Sequence, residues 1–413
     1  MSAVLLKNVR LLDPATGSDR VTHVRLEAGV ITHIGDCPET ALTLDRKDCW
    51  LLPGLIDLCA RLREPGASSK GTIHSETHAA LAAGIHHVVM PPDTSPVADT
   101  RAVVDRIHAL ARDAGAATVH VLGALTQGLR GEALAELSAL KAAGVVGVSN
   151  GLQPLANLLV ARRALEYAQG LGLTVHVVAL DAALANGGCA HEGAMATRLG
   201  LAAIPAAAEV AAIRQWISLV EDTGAAVHFG RLSSARGAEL VESAQARKLP
   251  VTADVAIHQL LLTDAALEGF NAMAHVMPPL RSADDRDALR GAVAKGVISA
   301  ICSDHQPHEP DAKVNPFPLT EPGISCVDSL LSLSLRLVEQ GLLSPLQWAA
   351  RLASGPAAVL KMPAPRIAVG EPARLILVDP SAEWFLNAAT MKSRGHNTPF
   401  LGERLLGRVL PLA

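Results

Sequence analysis

Eight short apolar runs, each followed by a helical stretch, fill the middle of this chain and leave it few folds to choose from. The runs are Leu55–Cys59, His86–Met90, Thr118–Leu122, Val145–Val148, Leu173–Val178, Ala225–Phe229, Val251–Val255 and Val297–Cys302. Between them, amphipathic patterns predict helices such as Asp99–Ala114, Glu132–Ala143, Ala207–Asp222 and Asp284–Lys295. The last is clearly punctuated: Ser282 can cap with Asp285 three residues on, and Gly296 stops it. Eight β-then-α units in about 250 residues is the pattern of a TIM barrel. A doubly wound sheet would share the alternation, but no Gly-x-Gly-x-x-Gly follows a strand to support it.

The two ends read differently. Leu5–Leu12, the turn Asp13-Pro14-Ala15-Thr16-Gly17, Val21–Glu27 and Val30–Ile34 are short strands punctuated by Gly and Pro. Strand texture returns after Leu360 in Arg366–Val369 and Ala373–Val378, around the turn Gly370-Glu371-Pro372. The expected organisation is a composite β-sandwich from residues 1–52 and 362–413 flanking a barrel over 53–361.

Composition excludes several roles. With 413 residues, 49% hydrophobic and 18% charged, the chain is a globular protein with a large core. No run of 18 apolar residues lacks a charge or turn signal, so no membrane span is expected. Lys7 comes too soon for a signal peptide. A net charge of −4 without a Lys/Arg block argues against nucleic acid. Six scattered cysteines without a Cys-x-x-Cys pair point to reduced thiols and a cytoplasmic setting. Aromatics are only 2%, which disfavours stacking platforms for bases or sugars.

Barrel chemistry sits at the C-terminal ends of the strands. There the chain offers Cys59, Arg61 and Arg63, then Asp93, then Asn150 and Gly151, His176, His228 through Arg231, and Cys302 through His308. A binuclear zinc site needs several neutral imidazoles and a bridging carboxylate. Only His176 and Asp304 stand in usable positions. Arg61 and Arg231 bring fixed positive charge where a dication would sit, and a guanidinium has no lone pair to give.

These motifs resemble the dihydroorotase branch of the amidohydrolase superfamily over nearly the whole chain. The resemblance rests on Pro53-Gly54-Leu55-Ile56-Asp57, Leu62-Arg63-Glu64-Pro65-Gly66, His191-Glu192-Gly193 and Leu249-Pro250-Val251-Thr252-Ala253-Asp254. It continues in Pro278-Pro279-Leu280-Arg281, Ser303-Asp304-His305-Gln306-Pro307-His308 and Asn397-Thr398-Pro399-Phe400. It implies that zinc ligands of the family are replaced at Cys59, Arg61 and Arg231. A ligand aspartate falls on Asn150 or Gly151, and a substrate-contacting asparagine reads Asp93. The Asn before Pro-Pro-Leu-Arg reads Met277. Arg63 (the family's substrate-carboxylate partner), His176, Asp304 (ligand and general base) and His308 remain. The pattern, with Arg236–Leu240 and Glu321–Ser325, is similar to inactive dihydroorotase-like subunits of bacterial aspartate carbamoyltransferase. Those assemble with the active transcarbamoylase chain in a mixed oligomer.

Each residue also has a plainer reading. Cys59 is either a thiolate ligand or a small buried hydrophobe, and facing Arg61 favours the second. Asp304 is a general base or a carboxylate neutralised by Arg61 and Arg231. His176 is a ligand or a core histidine. Arg63 holds a carboxylate ligand, with Asp93 and His308 beside it, or is tied to Glu64 or another neighbour. His305 and His308 are expected to be held by local hydrogen bonds. Three functions follow. The first is a zinc-free, cofactor-free scaffold for the transcarbamoylase chain in pyrimidine biosynthesis. The second is a divergent amidohydrolase with one metal on Cys59, His176 and Asp304. The third is a ligand-binding regulator that keeps Arg63.

Overall fold

The computed structural model describes residues 3–40, 42–155 and 157–412. The chain opens with β1 (Val4–Asp13), β2 (Ser18–Glu27), β3 (Val30–Ile34), β4 (Leu42–Asp45) and β5 (Trp50–Pro53). The barrel strands begin with β6 (Leu55–Asp57), β7 (Ile85–Met90), β8 (Thr118–Ala124), β9 (Gly147–Ser149) and β10 (Thr174–Val177). After a two-residue pair, β11 (Ala190–His191) and β12 (Ala203–Ile204), come β13 (Val227–Phe229), β14 (Val251–Ala256) and β15 (Ala300–Cys302). The chain ends with β16 (Leu375–Phe385) and β17 (Arg404–Leu410).

All eight apolar runs are strands of one parallel sheet in the order β15-β14-β13-β10-β9-β8-β7-β6. They read as apolar throughout because helices cover one face and the barrel interior fills the other. The seam between β6 and β15 closes just past the strand ends. His305 N donates to the Cys59 carbonyl at 3.2 Å, and Arg61 N donates to the His305 carbonyl at 2.8 Å. That seam lays residues 59–61 directly beside 303–305.

The chain ends combine in a seven-stranded sheet with a core of its own, including Leu6, Val24, Ile31, Leu51 and Leu377. Except for Arg366–Val369, the runs expected to form a sandwich are strands of this one sheet. A bulge between Leu6 and Val9 lets the first half of β1 pair with β4 and the second half with β5. Strand β16 reaches the barrel side through Trp384, whose Nε1 donates to Ser332 Oγ at 3.0 Å. Ser332 lies in the helix Leu330–Glu339, whose leucines are buried in the barrel core. Trp348 is fully buried beneath it, with Nε1 on Ser334 Oγ at 2.8 Å and its ring edge on Trp50.

The helix Ala283–Lys295 has the expected ends: Ser282 Oγ accepts from Asp285 N, and Gly296 is left-handed. Two other expectations change. Residues 132–136 are not helical, and the helix is Leu137–Ala142. The backbone there is bound to the loop after β8, with Gln127 N on the Ala133 carbonyl at 2.9 Å and Ala135 N on the Leu125 carbonyl at 3.1 Å. Arg366–Val369 is not a strand. Ile367 N donates to buried Asp13 instead, at 3.0 Å, so a side chain takes the place of a ladder partner.

Gly355, in the helix Ser354–Val359, lies so close to the Ser299 carbonyl before β15 that a Cβ would collide with backbone. Gly355→Ala is expected to destabilise the protein by about 3 kcal/mol. Gly291, inside Ala283–Lys295, has open space around it, and Gly291→Ala should stabilise by about 0.5–1 kcal/mol. Urea unfolding of the two variants checks both signs.

Candidate functional site

Of the residues singled out at the strand ends, Cys59, Arg61 and Arg231 meet at Asp304, which is 1% exposed at the mouth of the barrel. Arg231 Nη1 donates to Asp304 Oδ1 at 2.9 Å, and Arg61 Nη1 donates to the same oxygen at 3.3 Å. Gln306 Nε2 donates to Oδ2 at 3.1 Å. The Cys59 thiol donates to Oδ1 at 3.4 Å and accepts from Arg231 Nη1 at 3.1 Å. Arg61 Nε donates to Asp93 Oδ2 at 2.7 Å. Two guanidiniums thus meet two carboxylates, and the cluster is neutral without any further ion. Asp93 balances the second arginine.

The protonation states follow from this packing. Burial pushes the Asp304 carboxyl up, but Arg231 and Arg61 outweigh it and hold the group below the ordinary carboxylate value. Burial raises the Cys59 thiol despite both arginines, so it stays protonated. Burial drives His176 far below its usual value, helped by His228 and Arg231. His176 Nε2 is buried and makes no hydrogen bond.

The rest of the shell is committed to structure. Asn150 Oδ1 accepts from Thr126 Oγ1 at 2.6 Å, and its Nδ2 donates to the Gln153 carbonyl at 2.9 Å. Gly151 is a left-handed turn residue (φ 61°). Arg63 is not tied to Glu64, whose Oε2 accepts from Ile73 N at 2.8 Å. Arg63 Nε donates to the Pro307 carbonyl at 2.9 Å, and its Nη2 lies 3.0 Å from His308 Nε2. The same nitrogen lies 3.1 Å from the Pro322 carbonyl, and Nδ1 lies 3.2 Å from Lys70 Nζ and 3.3 Å from Glu321. Burial, Arg63 and Lys70 lower His308 to about 2, so it is neutral. His305 is held by a distant partner rather than a local one: its Nε2 lies 2.8 Å from Glu76, and both side chains are fully buried. Met277 packs beside the small cluster of Ala185, Ile204 and Ala208.

Asp254 plays a part that sequence reading missed. It accepts from Arg231 N at 2.7 Å, pairs with His228 Nε2 at 2.8 Å and accepts from the Cys302 thiol at 3.4 Å. Its place at the end of the Leu249–Asp254 motif, one strand on from Arg231, was the available signal. Gln306, placed at the strand end by the sequence but given no role there, is the donor on Asp304 Oδ2.

These residues do not fit a zinc centre. Zinc wants three or four converging His, Cys or carboxylate donors. Among the described residues no group of three or more His, Cys, Asp or Glu side chains is arranged to hold a metal ion, and Cys59, His176 and Asp304 are no exception. The cavity beside Arg61, Arg63, Asp93 and Ser95 holds about 80 Å³, well under the roughly 300 Å³ at the low end of small-molecule sites.

A family model described as "Dihydro-orotase-like" matches residues 49–236. A "Dihydroorotase-like protein" of Pseudomonas aeruginosa is 50% identical over 98% of this chain and 96% of its own length. A "Dihydroorotase" of Syntrophotalea carbinolica is 41% identical with the same coverage. Among solved structures, an L-hydantoinase (dihydropyrimidinase) from Arthrobacter aurescens superposes with a TM-score of 0.87. It is 20% identical and covers 100% of this chain and 95% of that one, which establishes the shared fold.

The pairing makes a stability prediction. Because Asp304 titrates below its ordinary 3.8 in the folded chain, its contribution is whole above that pH and is lost as pH falls through the folded value. Asp304→Asn leaves the buried Arg231 without its carboxylate, while Arg61 keeps Asp93, and should cost about 3–5 kcal/mol at pH 7. Arg61→Met should cost less, since Arg231 still neutralises Asp304. Urea unfolding should show the Asp304→Asn deficit shrinking once the pH drops below 3.8.

Proposed function

Because this chain belongs to the dihydroorotase-like family of amidohydrolases, we propose that it is a member without metal chemistry, serving as a structural subunit for the catalytic chain of aspartate carbamoyltransferase. The observation that carries this reading is the pair Arg61 and Arg231 on Asp304. Zinc in such a site would polarise a carbonyl and generate hydroxide. Two guanidiniums neutralise the carboxylate but do neither. Asp304 accepts from Arg231, Arg61 and Cys59 on one oxygen and from Gln306 on the other, and its two arginines hold it ionised, which weakens it as a proton acceptor. Arg63, already engaged by Pro307 and His308, is not poised for a substrate carboxylate.

The naming of relatives agrees in direction. Those at 50% and 49% identity are called dihydroorotase-like proteins, whereas those at 41% and 38% are called dihydroorotases. The mixed oligomer with the transcarbamoylase chain rests on the motif resemblance, and the cytoplasmic setting on the scattered cysteines. No helix among the described residues is long and apolar enough to cross a membrane.

Affinity capture of this chain from its own cells at physiological salt should bring down the aspartate carbamoyltransferase catalytic chain. Deleting this chain should lower that enzyme's assembled mass. The purified protein should hydrolyse no dihydroorotate, and titration with carbamoyl aspartate should give no binding heat. Dihydroorotate turnover by the purified chain would favour the amidohydrolase reading. Capture without the transcarbamoylase chain would remove the scaffold.

A further inference from the structure

At the N-terminal mouth of the barrel, away from Asp304, a cavity of about 690 Å³ opens between the barrel and the terminal sheet. Gly54, His86, His87, Arg366, Glu371 and Arg374 line it, with an apolar wall from Met362 to Pro365.

The basic groups there are seated by the backbone. Gly54 joins β5 to β6, and its N–H donates to the Arg374 carbonyl at 2.9 Å. A Cβ on Gly54 would fall on the His86 ring, so glycine at this position lets the imidazole lie against the chain beside Arg374. His87 Nδ1 lies 3.0 Å from His120 Nε2, with the two rings stacked. When His120 donates in that contact, neutral His87 carries its own proton on Nε2 and is a donor.

Charge is unbalanced in the same place. Arg366 is occupied by Glu371, with Nε on Oε1 at 2.9 Å. Arg374 is exposed and forms no ion pair among the described residues. Burial lowers His86 and takes His87 to about 4, and the charge of Arg374 adds to both. No carboxylate offsets it at either ring. The cavity therefore presents one surplus cation and neutral imidazoles that can donate.

We propose that this cavity binds the oxyanion of a small molecule, with Arg374 and His87 holding the anion and the wall at 362–365 receiving the body that carries it. The fork of Arg374 suits two oxygens of a phosphoryl or carboxylate group. The volume falls in the range of small-molecule sites and exceeds what a bare anion fills. The inference is independent of the scaffold reading, since none of these residues belongs to the Asp304 cluster.

Isothermal titration of the full chain at low salt tests it, with inorganic pyrophosphate and malonate as probes. Arg374→Ala should weaken binding about tenfold or more, while Arg374→Lys keeps part of it. Arg106→Ala removes the same charge from an exposed helix position elsewhere and should leave affinity unchanged. Unchanged thermal midpoints show that the variants remain folded. Preference for pyrophosphate identifies a phosphoryl ligand, and preference for malonate a carboxylate; either supports the site. Failure of both probes to bind the wild-type chain overturns it, as does equal weakening by Arg374→Ala and Arg106→Ala.

Discussion

One carboxylate organises the mouth of this barrel. Asp304 follows β15, Cys59 and Arg61 follow β6, and Arg231 follows β13, so the Asp304 cluster ties three strand ends together. It sits where the seam between β6 and β15 closes through the Cys59 and His305 backbones. Arg231 and Asp304 both adopt left-handed backbone angles, φ 57° and 44°. Such angles cost roughly 1–2 kcal/mol per residue, and they persist only where the surroundings leave no alternative. Here the surroundings are ion pairs on the side chains and, for Arg231, the bond from its N–H to Asp254.

The same cluster gives a physical reason for the replacements that the family resemblance implies to occur together. A guanidinium in place of a metal-binding imidazole adds charge that must be neutralised when buried. Arg231 and Arg61 bring two positive charges, and Asp304 supplies one negative charge. Asp93, where the family resemblance implies an amide, supplies the other at 2.7 Å from Arg61. Asn150 and Gly151 are absorbed into a satisfied loop, and Cys59 remains a thiol between Arg231 and Asp304. Charge neutrality is kept while Lewis acidity is absent from these side chains.

Much of this was legible in the sequence because the relevant patterns are short. Buried parallel strands need apolar side chains on both faces, so each of the eight runs marks its own strand. Strand ends in a barrel point to one mouth, so Arg61, Arg231 and Asp304 could be placed together from order alone. Partners chosen across the fold were not legible. His305 meets Glu76 from the helix Ile73–Ala82, and Arg63 meets the Pro307 carbonyl rather than the adjacent Glu64. Residues 132–136 carry a helical pattern, but backbone bonds to the preceding loop override it. Local pattern reports what a segment buries and carries no record of which distant group satisfies it.

The account turns on whether arginines stand where a metal would. Elemental analysis of the native protein, purified without chelator and after zinc supplementation, tests that directly. The arrangement of Arg61, Arg231 and Asp304 predicts zinc far below one ion per chain in both preparations. One or two tightly held zinc ions per chain would contradict it.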